Sequence, residues 1–472
     1  MQKRNKRLIK NTSILAFGQM CTRGVMFFMT PLFTHWLSQS EYGIFDLIVT
    51  YVMLLIPIIT LESGQSTFRF LFEPEENEEK SIITNGVLII IVGSIIGFLF
   101  VLITFIIYEH LRYILFYFYL LLLSQIINSF MAMVLRGLKK LPIYTMANII
   151  FVISMSISVM IFVKIFDLGL KGIVLGYSCG YIISSIFMII KSRIYKLICI
   201  DNINFKLIKN MIKYSLPLIP SNLSWWIMNV SDRTIVSIRL GAAQNAIYSV
   251  ANKIPSLCKT LYDVFHMAWL ESAIETIKDK DIGKYYSDVL NYMLRILIPI
   301  SCIILSFNFI FFTFLFENEY YLGYYQVSIL MISIIFSVIA QFFGSIYIAL
   351  MKSRKNGITT ILSAGINLLV LLVLINYVGL YAASISTLIS YLSLCLIRYL
   401  DIYKEIQIKF DKVSMLLLLI FIYFVITNFL NIKAINYVNI LLSMLLFIIV
   451  NKKVLILFVK IIYYKMLNKE LK

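Results

Sequence analysis

The chain has 472 residues, is 60% hydrophobic and only 14% charged, and carries a formal net charge of +18. A soluble domain has about 25% charged residues, so the composition excludes an ordinary soluble protein. Apolar runs of about 20 residues, the length that crosses a bilayer core, alternate with short charged segments. The expected fold class is therefore all-α, a polytopic membrane protein.

These runs predict about 14 transmembrane helices, taken by length and apolar character. In chain order they lie at 12–35, 44–70, 82–107, 112–136, 141–165, 171–191, 213–239, 245–271, 284–312, 322–350, 355–377, 379–402, 413–430 and 435–459. The first follows a basic head, "MQKRNKRLIK", that looks like a signal peptide. Its apolar part is too long, contains Arg23 and lacks a small-x-small cleavage site, so we expect a retained helix.

Basic residues predict the orientation of these helices. With a cytoplasmic N-terminus, 31 of the 42 Lys and Arg fall in cytoplasmic segments, 5 in external ones and 6 inside helices. This bias places both termini in the cytoplasm. It also explains the net charge without a nucleic-acid partner. The acidic stretch "EPEENEEK" (73–80) is then a solvated cytoplasmic loop, since acidic residues have little weight in orientation.

The chain repeats itself weakly. Three pairs of segments match in order: "LSQSEYGIFDL" (37–47) with "LGAAQNAIYSV" (240–250), "DLGLKGIVLGYSCGYIISSIF" (167–187) with "YVGLYAASISTLISYLSLCLI" (377–397), and "RGLKKLPIYT" (136–145) with "MKSRKNGITT" (351–360). The similar sequence separations between the members of each pair predict two six-helix bundles related by a parallel repeat. Transporters whose two halves rock against each other have such a repeat. The expected bundles are 1–191 and 213–402, with a cytoplasmic linker at 192–212 and two extra helices and a basic tail at 403–472.

Catalytic and metal-binding patterns are missing from the sequence. The six cysteines lie singly, and no two of the three histidines are within one helical turn of each other. We expect buried thiols, no metal, no cofactor, no catalytic residue and therefore no enzyme. The predicted external loops are short, and "FENEYYLG" (316–323) is the only one with a pair of carboxylates, Glu317 and Glu319.

Polar side chains form stripes on four predicted helices. Helix 1 carries Thr12, Gln19, Arg23, Thr30 and Thr34; helix 2 carries Asp46, Glu62 and Arg69; helix 7 carries Asn222, Trp226, Asn229 and Arg233; helix 8 carries Asn245, Ser249, Asn252, Ser256, Lys259, Asp263 and His266. A charge in mid-membrane costs about 2.5–3.5 kcal/mol against lipid. We therefore expect these stripes to face each other or a water-filled cavity.

Four cations, Arg23, Arg233, Lys253 and Lys259, outnumber the nearby acids Asp232 and Asp263, which predicts an anion path suited to phosphate. The candidate substrate-binding residues are Arg23, Arg233, Lys253, Lys259, Gln19, Asn229 and Arg69. The candidate ion-coupling or charge-balancing residues are Asp232, Asp263, Asp46 and Glu62. Lys259 and Asp263 can pair one turn apart. Other interpretations stay open: Ser and Asn can simply link helices, Arg69 can reach the membrane edge, and Arg295 is ambiguous.

Several motifs resemble one known family. They are "FMTPLFTHWLSQSEYGIFDL" (28–47), "YSLPLIPSNLSWWIMNVSDRTIV" (214–236), "IYSVANKIPSL" (247–257) and "AWLESA" (268–273). The chain resembles the polysaccharide-export branch of the multidrug/oligosaccharidyl-lipid/polysaccharide exporter superfamily, and specifically an O-antigen-type flippase. The resemblance covers essentially the whole chain, including the arrangement of twelve helices plus two.

The resemblance implies a transporter in the bacterial inner (cytoplasmic) membrane. It would move an undecaprenyl-pyrophosphate-linked oligosaccharide, an O-antigen or capsular repeat unit as in lipopolysaccharide biosynthesis, by ion-coupled alternating access. Its partners would be that glycan, the bilayer and other membrane proteins of polysaccharide assembly. Two alternatives stay open. A multidrug or ion antiporter of the same fold should have an acidic cavity, and a membrane polymerase or ligase should have a larger external loop with carboxylates.

Overall fold

The structure is a computed structural model that describes residues 18, 21–72, 78–107, 112–279, 281–316 and 318–470. Helices joined by short turns make up this part of the chain, and it contains no β-strand. The chain divides into two compact units, Met1–Ser249 and Val250–Lys472. The predicted bundle boundaries at 191 and 213 stay a prediction.

The first unit contains nine α-helices among its described residues and the start of a tenth. They are α1 (21–36), α2 (Gln39–Ile59), α3 (Ser63–Phe72), α4 (Glu79–Ile107), α5 (Arg112–Gly137), α6 (Leu141–Val159), α7 (Gly169–Ser192), α8 (Phe205–Ser215), α9 (Leu218–Leu240) and the first turns of α10 (Ala242–Thr276).

The second unit contains the rest of α10 and six further α-helices among its described residues. They are α11 (Ile282–Ile310), α12 (Gly323–Ala349), α13 (Ser353–Val378), α14 (Tyr381–Tyr403), α15 (Lys412–Leu430) and α16 (Lys433–Glu470).

In the described part of the chain, eleven helices are long and apolar enough to cross a membrane. The prediction of an all-α polytopic membrane protein is confirmed. The other three predicted spans correspond to α1, α9 and α10. The last two are long enough, at 23 and 35 residues, but their polar stripes lower their hydropathy.

The prediction of a single helix at 44–70 is wrong, because the helix is interrupted between α2 and α3. Pro57 removes a backbone donor near the end of α2, and the helix ends at Ile59. Leu61 and Glu62 then adopt positive φ angles of 49° and 54°. A proline is tolerated inside membrane helices, so its position did not reveal the break.

The segment predicted as a linker contains a helix of its own. Asn204 caps α8, since its side chain accepts hydrogen bonds from the backbone N–H of Lys206 at 3.0 Å and Leu207 at 3.2 Å. The side chain of Asn85 on α4 anchors the segment by accepting from the Asn204 backbone N–H at 3.0 Å. The linker is therefore fixed to the first unit by specific hydrogen bonds.

Close packing in the first unit depends on small residues in α7. Gly172, Gly176 and Gly180 recur every four residues, so they share one face. A Cβ added to Gly176 would lie 2.7 Å from the backbone nitrogen of Val159 on α6. Small residues at such an interface let two membrane helices approach closely.

Buried polar contacts join α15 to the other helices of the second unit. The amide of Asn428 on α15 donates to Ser328 Oγ on α12 at 2.7 Å, and the Tyr324 hydroxyl donates to the Asn428 carbonyl at 2.8 Å. Arg295 on α11, ambiguous in the sequence, pairs with Asp411. Burial opposes the charge of Asp411, but hydrogen bonds from Ser414 and Arg295 prevail and lower its pKa.

Candidate functional site

Three hydrogen bonds join α9 to α2 and to the turn that follows α2 in the first unit. Arg233 Nη1 donates to Asp46 Oδ1 at 2.8 Å, and Trp226 Nε1 donates to the Thr50 carbonyl at 2.9 Å. Beyond the end of α2, Asn222 Nδ2 donates to Glu62 Oε1 at 2.6 Å. Sequence position rises along α2 as it falls along α9, so the two helices run antiparallel.

Asp46 is the centre of the candidate site. Its side chain is almost fully buried, and Oδ1 accepts from Arg233 and also from Ser249 Oγ at 2.6 Å. Asn245 Nδ2 donates to Oδ2 at 3.4 Å and to the Gly43 carbonyl at 3.1 Å. One cation and two neutral donors therefore compensate the burial of this carboxylate.

Asp232 is bound separately from the ion pair. Its Oδ1 accepts the backbone N–H of Arg233 at 2.9 Å, and Tyr248 donates its hydroxyl to Oδ2. The guanidinium of Arg233 thus pairs with a residue 187 positions away, and the adjacent Asp232 is fixed by a tyrosine. The neighbouring letters "DR" in the sequence do not form the ion pair.

A close approach of α10 to α2 brings Asn245, Tyr248 and Ser249 to these carboxylates. A Cβ added to Gly43 would lie 1.8 Å from the carbonyl oxygen of Ala242. Real Cβ atoms do not come that near an oxygen, so position 43 requires glycine for this packing. The motif "EYG" in the sequence therefore marks a helix contact that positions the site.

Arg233 retains hydrogen-bonding capacity beyond its ion pair. A guanidinium has five N–H donors, and Asp46 is bound through Nη1. The Nε atom is buried and has no hydrogen-bond partner, while the side chain as a whole keeps 20% of its surface exposed. A buried donor without a partner costs free energy, so an added acceptor at this point would be stabilised.

The charge balance of this cluster differs from the predicted excess of cations. Its charged side chains are two buried carboxylates, Asp46 and Asp232, and one half-buried guanidinium, Arg233. The other predicted cations of the first unit, Arg23 on α1 and Arg69 on α3, are exposed. The predicted excess of cations along the whole path stays a prediction.

The remaining predicted residues have separate positions. Glu62 lies at the break after α2 and is half-buried, while Lys253, Lys259 and Asp263 are half-buried on the part of α10 in the second unit. Gln19 lies outside the described residues. Asn229 belongs to α9, but its side chain is also outside the described part. The proposed pairing of Lys259 with Asp263 stays a prediction.

Sequence reasoning missed two buried residues. Tyr248 lies in the quoted motif "IYSV", but a tyrosine in an apolar run looks like ordinary core. Arg398 on α14 was not among the candidate residues, yet it is 4% exposed. It donates to the Ala340 carbonyl at 2.8 Å and to the hydroxyl of Thr360 at 2.9 Å, which links three helices of the second unit. An arginine inside the predicted span 379–402 was the available signal.

Comparisons with known proteins agree with this architecture. The model of a family described as polysaccharide biosynthesis protein matches residues 8–270. No curated protein matches the chain by sequence. The fold is similar to that of the lipid II flippase MurJ in an inward closed conformation, with a TM-score of 0.67 and 14% identity over 97% of this chain and 99% of that one.

Two further solved structures have the same fold. A multidrug resistance MATE family transporter of the MOP superfamily, in an inward-facing conformation, gives a TM-score of 0.65 and 14% identity over 83% of this chain and 98% of that one. A MOP superfamily transporter from Pyrococcus furiosus gives 0.55 and 14% identity over 83% and 95%. At this identity the likeness concerns the fold alone.

Proposed function

Because the chain belongs to the polysaccharide biosynthesis protein family, we propose that it is a flippase for a lipid-linked oligosaccharide. The substrate is an undecaprenyl-pyrophosphate-linked O-antigen or capsular repeat unit, moved across the bacterial cytoplasmic membrane by alternating access. Both termini lie in the cytoplasm, and no catalysis is involved. The family match, the multi-pass helical fold and its likeness to a lipid II flippase support this proposal.

The observation that carries the proposal is the ion pair between the half-buried Arg233 and the buried Asp46. A guanidinium matches two oxygens of a phosphate through its fork of donors. Here one face of the fork binds Asp46, and Nε is left without a partner. A diphosphate that reaches Arg233 therefore finds an unused donor in surroundings of low dielectric, where such a hydrogen bond is strong.

Asp46 is the counter-anion of Arg233 when no substrate is bound. Removing one partner of a buried ion pair costs about 3–5 kcal/mol, so Arg233 needs a resident anion between transport cycles. When a phosphate takes over the guanidinium, Ser249 and Asn245 still donate to Asp46. The pair can open without leaving the carboxylate with no hydrogen bonds.

The other predicted residues complete the proposed path. Arg23, Gln19 and Arg69 in the first unit, with Asn229 on α9, would contact the substrate as it passes, and so would Lys253 and Lys259. Asp232, Asp263 and Glu62 would balance these charges or bind a coupling ion. The two predicted six-helix bundles would rock about this path.

A second candidate function is export of a cationic drug by ion antiport. The observation in its favour is the ratio of two buried carboxylates to one guanidinium in the cluster of the first unit. Such a cluster is net negative when both carboxylates are ionised, which suits a cation. The family match favours the flippase.

The decisive experiment reconstitutes the protein in vesicles with a fluorescent lipid-linked glycan. A membrane-impermeant glycosidase reports how much glycan reaches the outer leaflet. We expect transfer by the wild type, loss of transfer by Arg233→Gln, and retention by Arg239→Gln, an exposed arginine on the same helix. Export of a cationic dye by vesicles that do not move the glycan would contradict the flippase and support the antiporter.

A further inference from the structure

The first unit contains an apolar cavity that the proposed transport path does not use. It has a volume of about 590 Å³ and lies between α2, α4, α5 and α8. All 16 residues that line it are aliphatic, phenylalanine or glycine. Small-molecule pockets typically have volumes of about 300–1,000 Å³ and a small number of polar groups among apolar ones. This cavity therefore has the size of a ligand site, and its wholly apolar lining suits a hydrocarbon chain.

The cavity arises where α4 lacks side chains next to the end of α2. Gly93 and Gly97, one turn apart on α4, both line it. A Cβ added to Gly93 would lie 2.0 Å from the carbonyl oxygen of Ile59, the last residue of α2. Because α2 ends there, no further turn of α2 covers α4, and a groove stays open beyond the contact.

One wall of the cavity is continuous with the apolar surface of α4. Ile96 and Phe100 line the cavity and are 62% and 63% exposed. In a bilayer, an exposed apolar helix surface faces lipid. A hydrocarbon chain can therefore enter the cavity sideways from the membrane without crossing water.

The opposite wall belongs to α8, which has a basic face. Phe205, Ile208 and Ile212 line the cavity, while Lys206, Lys209 and Lys213 are exposed. Lys209 follows Phe205 by one turn, so the lysines border the side chains that line the cavity. A basic amphipathic helix of this kind lies at the membrane interface and attracts anionic lipids.

We propose that this cavity and the three lysines of α8 bind an anionic membrane phospholipid. One acyl chain occupies the cavity, and the phosphate lies against Lys206, Lys209 and Lys213. Charge complementarity and the wholly apolar lining identify the ligand. The site would fix α8, and with it the linker, to the membrane surface, and this binding does not depend on what the protein transports.

The position of the site separates it from the transport path. Ile59 lies 13 residues after Asp46 on α2, which is about 20 Å at 1.5 Å per residue. A phosphate bound by the lysines of α8 is thus far from the guanidinium of Arg233. The two sites bind different molecules.

Photocrosslinking tests the site directly. The probe is phosphatidylglycerol with a diazirine in one acyl chain, added to the full-length protein in neutral detergent micelles. We expect crosslinked peptides from 88–101 and 205–212, and competition by unlabelled phosphatidylglycerol but not by phosphatidylcholine. In the triple variant Lys206→Gln/Lys209→Gln/Lys213→Gln, the concentration of unlabelled phosphatidylglycerol needed to displace the probe should rise roughly tenfold or more, because each lysine attracts the anionic headgroup. The matched control is Lys404→Gln/Lys409→Gln/Lys412→Gln, which changes three exposed lysines of the second unit. It should leave the displacing concentration unchanged.

A second pair of variants tests the cavity itself. Ile96→Trp fills it and should abolish the crosslinks, while Ile95→Trp, at a neighbouring position that is 55% exposed and does not line the cavity, should leave them. Equal competition by phosphatidylcholine, or equal loss in both tryptophan variants, would overturn the proposal. Displacement of the probe by undecaprenyl diphosphate at a lower concentration than by phosphatidylglycerol would also overturn it, because the site would then belong to the substrate.

Discussion

Arg233 and Asp46 are joined by a 2.8 Å hydrogen bond between Nη1 and Oδ1, although 187 residues separate them. The bond connects α2, near the start of the chain, to α9 beyond the linker. It also gives a membrane helix a reason to carry an arginine, since the guanidinium contacts a carboxylate instead of lipid. The first prediction follows from this pair.

Breaking the pair from either side should destabilise the protein. Asp46→Asn leaves Arg233 without its anion, and Arg233→Gln leaves Asp46 without its cation, at a cost of about 3–5 kcal/mol for a fully buried pair. Because 20% of the Arg233 side chain is exposed, we expect the low end of that range. The double variant should lose less than the sum of the two. Thermal unfolding in detergent measures the stability of the two single variants and the double variant. Strictly additive losses of stability would show that the two residues are not coupled.

Tyr248→Phe should destabilise the protein through Asp232. The hydroxyl of Tyr248 donates to this buried carboxylate, and an acceptor left unsatisfied costs about 1–3 kcal/mol. The comparison is Tyr285→Phe, whose hydroxyl contacts Ser272 at an exposed position. Equal melting temperatures for the two variants would mean that Asp232 finds another donor.

Gly43→Ala should prevent normal folding of the first unit. The new methyl group overlaps the carbonyl of Ala242, so α10 must move away from α2 and take Asn245 and Ser249 with it. Gly365→Ala on α13 is the matched control, because a Cβ there meets nothing within 4 Å and alanine favours a helix by about 1 kcal/mol. Normal membrane yield and melting temperature of Gly43→Ala would contradict the observed packing.

Asp411→Asn should destabilise the second unit in a pH-dependent way. The pKa of Asp411 is lowered from its ordinary value of 3.8, so its charge stabilises the fold above that value. This contribution disappears as the pH falls through the lowered native pKa. The difference in melting temperature between wild type and variant should be constant near neutrality and shrink below about pH 4. A difference that grows in acid would contradict the shift.

The helical fold could be predicted from sequence because each span is a local property of about 20 apolar residues. The break after Pro57 and the helix α8 could not. A proline is compatible with a continuous membrane helix, and α8 is too short and too polar to show as a span. The interruption after Pro57 and the helix α8 both depend on packing against other helices. The length of an apolar run in the sequence carries no information about such packing.

The candidate site was predictable as a set of residues but not as a set of pairs. Asp46, Asp232 and Arg233 were recognised because charges inside membrane helices are rare. Their partners could not be assigned, because the structure pairs Arg233 with Asp46, which lies 187 positions away in the sequence. Tyr248 carries no charge, so nothing in the sequence distinguished it from the core.

The last prediction separates the charge of Arg233 from its geometry. Arg233→Lys keeps a cation beside Asp46, so the ion pair and the melting temperature should be largely preserved. An ammonium is a compact point charge, and it lacks the planar fork with which a guanidinium binds two oxygens. The variant should therefore bind Asp46 but exchange poorly with a diphosphate, and glycan transfer should fall by about tenfold, the effect of roughly one lost charge-assisted hydrogen bond. Transfer is measured in the vesicle assay at equal protein content, with Arg239→Lys as the control. Wild-type glycan transfer by Arg233→Lys would show that only the positive charge is needed. Loss of both transfer and folding would show that the guanidinium stabilises the protein itself.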